Sequence, residues 1–326
     1  MKTFQKLIDT FDKQYYEIIP KSYLHSVNKD ITTPLEYFLN NGGKRFRPLL
    51  CFLAHEIYLP INQNTLHAAN AIELFHNFTL IHDDIMDNSL LRRNHKTVNH
   101  KYGINTAILS GDALMIVAYE ELSKLESSKL PLILKLFNKV AMEVCCGQQM
   151  DMLFEKRDNV SMEDYIEMIR LKTSVLLAFS LKCGALLGNA SLGNADLLYQ
   201  FGIQIGLAFQ ILDDYLDAFG QDGIVGKKIG GDIIENKKTF LYIKALELAS
   251  ETTKSKLLEL RTLKDETKKI NQTKEIFQEL KIEKLALQKI EDYYKQSSIL
   301  LEEIVVEDKK KNSLREILEI LKNRKF

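Results

Sequence analysis

Leu80-Ile81-His82-Asp83-Asp84-Ile85-Met86-Asp87 and Phe209-Gln210-Ile211-Leu212-Asp213-Asp214-Tyr215-Leu216-Asp217 decide how this chain is read. Each ends in D-D-x-x-D after an apolar run with helical spacing. At about 3.6 residues per turn, positions i and i+4 stand one above the other, so Asp83 stacks over Asp87 and Asp213 over Asp217. Like charges at that spacing cost roughly a few tenths of a kcal/mol on an isolated helix, and more where water is excluded. Negative charge in a last turn also opposes the helix dipole. Such pairs call for a cation, and carboxylate oxygens suit hard divalent ions. A single copy reads equally well as a solvated acidic helix end. Two copies, each closing an apolar helix, favour a metal site.

Working outward, residues 65–87 form a long helix that is apolar nearly all round (Ala68, Ala69, Ala71, Ile72, Leu74, Phe75, Phe78, Leu80, Ile81), which places it in an interior. Residues 195–219 form its counterpart. A turn with clustered cations, Asn41-Gly42-Gly43-Lys44-Arg45-Phe46-Arg47-Pro48, precedes the first, and Arg92-Arg93-Asn94-His95-Lys96 follows it. Helices are expected over 104–125 and 131–154. Another opens at an N-cap in Ser161-Met162-Glu163-Asp164 and runs to Leu187, carrying Lys172-Thr173. The loop from Gly220 to Gly231 holds Gly226-Lys227-Lys228, and Lys237-Lys238-Thr239 sits where the next helix begins. Residues 1–40 read as amphipathic helices interrupted near Pro20 and Pro34. From about residue 240 the Lys/Glu/Leu-rich chain reads as a peripheral layer of helices. No alternating strand pattern persists and no linker divides the chain. The expectation is one all-α domain over residues 1–326.

Composition narrows the function. Lys+Arg and Asp+Glu both number 44 in 326 residues, so no overall field favours nucleic acid or a membrane surface, and any basic site is local. The chain start does not resemble a signal peptide. Apolar stretches such as 202–212 fall short of the ~20 residues of a bilayer span. The expectation is therefore no transmembrane segment and a cytoplasmic protein. Cys51, Cys145, Cys146 and Cys183 lack C-x-x-C spacing and read as buried small hydrophobes.

The carboxylates, facing one another across a helix bundle, would cradle several Mg²⁺ ions, which bind a few carboxylates together with water and substrate phosphates. Lys44, Arg47, Arg92, Arg93, Lys172, Lys227 and Lys237 supply the matching cations, arginine for bidentate phosphate contacts and lysine as a point charge. Each alone reads as a surface charge; beside Gly-rich turns and Asp-rich helix ends they read as a phosphate site. No Walker loop or dinucleotide fingerprint is present. A substrate with a diphosphate head and a hydrocarbon tail follows from the apolar helices that lead to the carboxylates.

These segments resemble the trans-isoprenyl diphosphate synthases of the polyprenyl synthetase family. The likeness is carried by Gly42-Gly43-Lys44-Arg45-Phe46-Arg47-Pro48, His76, the first aspartate motif with Arg92-Arg93, Gly147-Gln148 with Asp151, Lys172-Thr173, Phe209-Gln210 with the second motif, and Gly226-Lys227 with Gly230 and Asp232. They occur in family order over roughly residues 40–240. The resemblance implies a bundle of mainly antiparallel helices around a deep cavity, usually as a homodimer. It implies Mg²⁺ on Asp83, Asp87 and Asp213, supported by Asp84, Asp214 and Asp217. Arg92, Lys172, Lys227 and Lys237 would contact an allylic diphosphate. Lys44, Arg47, His76 and Arg93 would bind isopentenyl diphosphate, and Thr173 and Gln210 would turn oxygen dipoles toward a developing allylic cation. Asn94 stands where the family commonly has glycine, a position asparagine tolerates in left-handed geometry. Lys227 and Lys228 compete for the phosphate role in their loop.

Product length turns on the residues before the first motif, which form the cavity floor in this family. Phe78 lies about 7.5 Å along the helix from Asp83, and Thr79 beside it is small. The motif also lacks the two extra residues of many bacterial farnesyl synthases. This combination resembles enzymes making geranylgeranyl diphosphate (C20), with farnesyl diphosphate (C15) the alternative and longer polyprenyl products less favoured. A class I terpene cyclase would usually lack the second D-D-x-x-D and the Gly43-to-Arg47 segment. A non-catalytic partner subunit would be expected to have lost aspartates.

Overall fold

A computed structural model describes residues 2–220 and 229–323. Among these the chain is almost wholly helical, with one hairpin pairing Leu91–Arg92 antiparallel to His95–Lys96. The all-α expectation holds. By contacts the chain divides into two compact units.

The first unit comprises Met1–Lys139, Phe179–Tyr199 and Val306–Lys310. Its central helix, Gln63–Met86, opens on a capping box: Asn62 Oδ1 accepts from the Thr65 backbone N–H at 3.2 Å, and Thr65 Oγ1 accepts from Asn62 N–H at 3.4 Å. Ala68, Ala69, Ala71, Ile72, Leu74 and Phe75 are fully buried in it. It packs on the helices Phe46–Glu56 and Ile104–Ser123. Pro34, expected as a break, lies inside and is buried in the helix Lys29–Asn40. The backbone carbonyl that loses its i+4 donor to Pro34 belongs to exposed Asp30 in the first turn, where water can satisfy it.

Arg45 organises the turn before Phe46. Its backbone is left-handed, with φ 47°, a geometry that costs an ordinary residue about 1–2 kcal/mol. The side chain, 2% exposed, offsets that cost. Arg45 donates to Asp12 at 2.8 Å, to Glu73 at 2.9 Å and to the Tyr16 hydroxyl at 2.8 Å, and its guanidinium lies 4.7 Å from the Tyr15 ring centre. Of the cations in this turn, Arg45 is therefore the structural one; Lys44 is exposed and Arg47 half-buried.

The second unit comprises Val140–Ala178, Gln200–Val305 and Lys311–Phe326. The chain passes between the units within the helices Leu130–Lys156, Val175–Leu187 and Leu192–Phe219. Leu192–Phe219 is long and apolar enough by composition to cross a membrane, in contrast to the expectation from its shorter uncharged stretch 202–212. However, 61% of its most apolar window is buried inside the protein, as in a core helix. The C-terminal helices do more than cover a surface. Phe240–Leu248 buries Phe240, Leu241, Tyr242, Ile243 and Ala245. Lys269 reaches from Glu266–Glu279 to donate to the Ile234 carbonyl at 2.9 Å. Of the cysteines, Cys51 and Cys183 are buried as expected, whereas Cys145 and Cys146 lie on an exposed helix face.

Candidate active site

In the first unit, Asp83 and Asp84 lie in the last turn of Gln63–Met86, and Asp87 caps it, its N–H donating to the Asp83 carbonyl at 2.9 Å. The three carboxylates have different environments. Asp84 is 1% exposed, Asp83 half-buried and Asp87 exposed. Arg92, in the hairpin, donates to Asp84 at 2.8 Å and to Asp83 at 3.2 Å. Burial pushes Asp84 up to about 6 even with Arg92 beside it. The hairpin turn itself is Arg93-Asn94, with φ 52° and 63°. This is the double left-handed geometry of a two-residue hairpin loop, and Asn94 adopts it as expected.

Arg93 donates to the Gly42 carbonyl, tying the hairpin to the cationic turn. Arg47 donates to His76 Nε2 at 3.0 Å. A guanidinium has only donors, so His76 must accept through Nε2 and carry its proton on Nδ1. Burial, followed by the charge of Arg47, holds the His76 ring neutral, with its pKa well below the ordinary value. Burial likewise lowers Arg47 to about 10. Glu73 acts on this cation in the favourable sense, but Arg45 already engages that carboxylate, and among the described residues Arg47 Nε has no hydrogen-bond partner. An incoming anion would supply a further counter-charge and that partner. Lys44, Arg47, His76 and Arg93 thus belong to one unit.

In the second unit, Lys172 and Thr173 lie in a π-helical turn, Arg170–Ser174, inserted between Met162–Ile169 and Val175–Leu187. Spacing alone predicts an uninterrupted helix here; the extra residue of a π turn leaves no periodicity that propensity can register. Two glycines make room for it. A Cβ on Gly147 would lie 2.3 Å from Lys172 N, and one on Gly206 would lie 2.6 Å from Ser174 Cα. Neither position accepts a side chain without moving the turn. Lys172 pairs with Asp151 at 2.5 Å, and Thr173 donates to Gln210 Oε1 at 3.0 Å.

The second motif repeats the first in its burial. Asp214 is 5% exposed, while Asp213 and Asp217 are half-buried. Asp214 Oδ2 accepts from the Tyr165 hydroxyl at 2.5 Å and from Phe240 N–H at 3.0 Å. Burial, then the nearby Asp232 carboxylate, pushes Asp214 up to about 8. Asp217 accepts from Asp232 N–H at 3.0 Å. Lys237 pairs with Glu235 at 3.0 Å and Asp232 at 3.4 Å. Burial opposes its charge, but Asp232 and Glu235 hold its pKa above the ordinary lysine value. A cavity of about 120 Å³ is lined by Asp151, Lys172, Thr173, Gln210, Asp214 and Lys237, among others. Gly226, Lys227 and Lys228 lie outside the described residues.

Among the described residues, no group of three His, Cys, Asp or Glu side chains is placed to hold a metal ion by itself. The donor chemistry nevertheless fits a hard divalent cation. Asp83 with Asp87, and Asp213 with Asp217, offer oxygen donors at i and i+4. An ion bound through one or two carboxylates, with water and phosphate completing its shell, needs no protein cage.

Tyr165 and Phe240 N–H are parts of this arrangement that the aspartate and lysine motifs do not point to, whereas Asp232 is already among the matching residues of the sequence. The middle aspartates carried a readable signal: on a helix, i+1 is turned about 100° from i, away from the shared face of i and i+4.

Residues 28–280 match the profile of the family described as Polyprenyl synthetase. The chain is 41% identical over 262 residues to the short chain isoprenyl diphosphate synthase of Methanocaldococcus jannaschii, covering 78% of this chain and 80% of that one. Its fold superposes on a crystal structure of geranylgeranyl pyrophosphate synthase with a TM-score of 0.93 at 39% identity, over 100% of both chains. The geranylgeranyl pyrophosphate synthetase of Pyrococcus horikoshii gives 0.92 at 30% identity, over 99% of this chain and 98% of that one.

Proposed function

Because the chain belongs to the polyprenyl synthetase family, we propose that it joins isopentenyl diphosphate head to tail with an allylic diphosphate and stops at geranylgeranyl diphosphate (C20). The observation that carries this reading is the repeated build of the aspartate motifs. In each, the middle carboxylate is buried and hydrogen-bonded while the outer pair is left more open. The C20 length is supported by the likeness to proteins named geranylgeranyl pyrophosphate synthase.

Asp83, Asp87 and Asp213 would hold Mg²⁺, several ions per site, with Asp84, Asp214 and Asp217 in support. Bound Mg²⁺ would supply positive charge for the departing diphosphate. Arg92, Lys172 and Lys237 would bind the same group; their present carboxylate partners would share them with it. Thr173 and Gln210 would present oxygen dipoles to the allylic cation. Lys44, Arg47, Arg93 and neutral His76 would orient isopentenyl diphosphate. Its double bond then attacks the cation, a carbon–carbon bond forms, and a proton leaves to the released diphosphate. The reading takes residues 1–326 as one functional domain of a cytoplasmic protein. It also takes the chain as a homodimer, a proposal supported by the exposed apolar stripe Ile104, Ile108, Leu109 and Ile116 on Ile104–Ser123. A monomeric mass by sedimentation equilibrium would remove the dimer. The reading as a whole is tested by incorporation of labelled isopentenyl diphosphate onto an allylic primer. Incorporation should require divalent metal and stop on addition of EDTA; none under any condition would sink it.

The cations should divide by substrate. Lys44→Ala and Arg47→Ala are expected to raise the KM for isopentenyl diphosphate by about 10-fold or more, the loss of one charge-assisted contact. Lys172→Ala should instead depress turnover of the allylic substrate. Initial rates with each substrate varied in turn check this; equal losses toward both substrates in all variants would dissolve the two-site assignment.

Product length should respond to Phe78 and Thr79. Thr79, Asp83 and Asp87 follow one another at i, i+4 spacing, so a chain held at Asp83 runs past Thr79. Phe78 is half-buried, its ring 5.6 Å from Phe75 and 4.7 Å from His82. Phe78→Ala opens space that a longer tail can fill, at about 0.8 kcal/mol per buried CH₂, and should lengthen the product. Thr79→Phe should shorten it toward C15, because overpacking costs about 1–3 kcal/mol. An unchanged product distribution in both active variants would place the floor elsewhere.

A further inference from the structure

A buried tyrosine ties the second aspartate motif to the helical segment that leads to Lys172. Tyr165 is 2% exposed, and its hydroxyl donates to Asp214 Oδ2 at 2.5 Å. It lies on Met162–Ile169, which runs directly into the π turn of Lys172 and Thr173. The other oxygen of Asp214 accepts from Gln210 Nε2 at 3.5 Å, and Gln210 Oε1 accepts from Thr173 at 3.0 Å. The contacts form a closed circuit: Tyr165 to Asp214, Asp214 to Gln210, Gln210 to Thr173, and back to Tyr165 along the helix.

A circuit of this kind fixes relative positions in a way that a single contact does not. A π turn is a weak point in a helix, because its hydrogen bonds no longer follow the regular register. Its placement depends on what holds the helix on either side. On the C-terminal side, Gly206 packs beneath Ser174. On the N-terminal side, beside the buried Met168 and Ile169, the Tyr165 hydroxyl is the polar anchor, and it ends on the residue next to Asp213. A buried tyrosine hydroxyl needs one partner, which a backbone carbonyl could supply. Here the partner is a carboxylate that also accepts the first N–H of Phe240–Leu248. One oxygen thus joins the Tyr165 helix, the aspartate helix and the segment following Lys237.

We infer that Tyr165 is a positioning residue for ionisation of the allylic substrate. Acting through Asp214, it sets Asp213 and the Lys172–Thr173 turn at a fixed separation. The inference rests on the prenyltransferase reading. It assigns Tyr165 no contact with substrate.

The test compares the full-length wild-type protein with Tyr165→Phe, Asp214→Asn and the double variant. Tyr165→Phe removes one oxygen and keeps the ring. Its turnover with the allylic substrate should fall about 10- to 100-fold, the usual effect of losing a group that orients metal-site residues. KM for isopentenyl diphosphate should change less than about 2-fold and the melting temperature by no more than a few degrees, because the ring still fills its place. Calorimetric binding of geranyl S-thiolodiphosphate with Mg²⁺, which reports no turnover, should weaken by about 10-fold. Asp214→Asn should show the same split between substrates, and the double variant should be little worse than either single one, as expected for groups acting through one contact. Wild-type turnover in Tyr165→Phe overturns the inference. So does a parallel loss toward both substrates accompanied by a large fall in melting temperature, which is the mark of a plain core tyrosine. So does full additivity in the double variant. A wild-type protein that incorporates no isopentenyl unit overturns the underlying reading instead.

Discussion

Asp83→Ala and Asp213→Ala are each expected to lower kcat/KM by roughly 10²- to 10³-fold or more, the scale of losing one preorganised electrostatic stabiliser of a charged transition state. Both side chains are only half-buried, and neither is the buried anchor of its motif. Their removal should therefore leave the helices in place. In the first motif, Arg92 would still hold Asp84 at 2.8 Å; in the second, Asp214 would keep Tyr165 and Phe240 N–H. Steady-state kinetics at saturating Mg²⁺, with circular dichroism as the control for folding, checks this. Near-normal turnover in either variant would mean that its motif does not serve the ionisation step. Asp84→Ala and Asp214→Ala should behave differently. Asp84→Ala takes from half-buried Arg92 its shorter bond, leaving only Asp83, and Asp214→Ala leaves a buried tyrosine hydroxyl without its partner, so stability should fall along with activity.

Arg45→Met is expected to cost about 3–5 kcal/mol of folding stability, because it leaves the buried Glu73 carboxylate without its hydrogen-bonded counter-charge. Glu73 is 2% exposed and receives Arg45 at 2.9 Å. Asp12, Tyr16 and the ring of Tyr15 depend on the same guanidinium. Arg45→Lys should not rescue much, since an ammonium cannot reproduce a planar fork that serves Asp12, Glu73 and Tyr16 together. Combining Arg45→Met with Glu73→Gln should recover part of the loss, because the stranded charge goes with it. Urea unfolding of the three variants measures these differences. A loss under about 1 kcal/mol in Arg45→Met, the value of an exposed ion pair, would show that the turn holds without this centre. Lys44 and Arg47 flank Arg45, so isopentenyl diphosphate binding should weaken with it.

The helices that carry the aspartates were legible in the sequence because apolar periodicity and i, i+4 spacing are local properties. Asn94 was legible for a similar reason: a left-handed turn selects among few residue types, and its φ of 63° agrees. The partners of buried groups were not. Tyr165 and Asp214 are 49 residues apart, and no pattern near either one names the other. Arg45 looked like one more cation among Lys44 and Arg47 until its ion pairs with Asp12 and Glu73 distinguished it. Pro34 reads as a break by propensity, yet one lost hydrogen bond near a solvated helix end is a small cost against the burial of Leu35, Phe38 and Leu39. The C-terminal quarter reads as a covering layer by composition, but Phe240 supplies a backbone N–H to Asp214, a role that any residue other than proline could fill. Backbone donors leave no trace in side-chain identity.

The most direct test of the central claim is the product itself. The protein should be incubated with Mg²⁺, isopentenyl diphosphate and, separately, the C5, C10 and C15 allylic diphosphates, with each product measured by mass spectrometry after dephosphorylation. The account predicts linear prenyl alcohols that accumulate at C20, reached from every primer accepted. Products that stop at C15, that run well beyond C20, or that are cyclic hydrocarbons formed without isopentenyl diphosphate would contradict it.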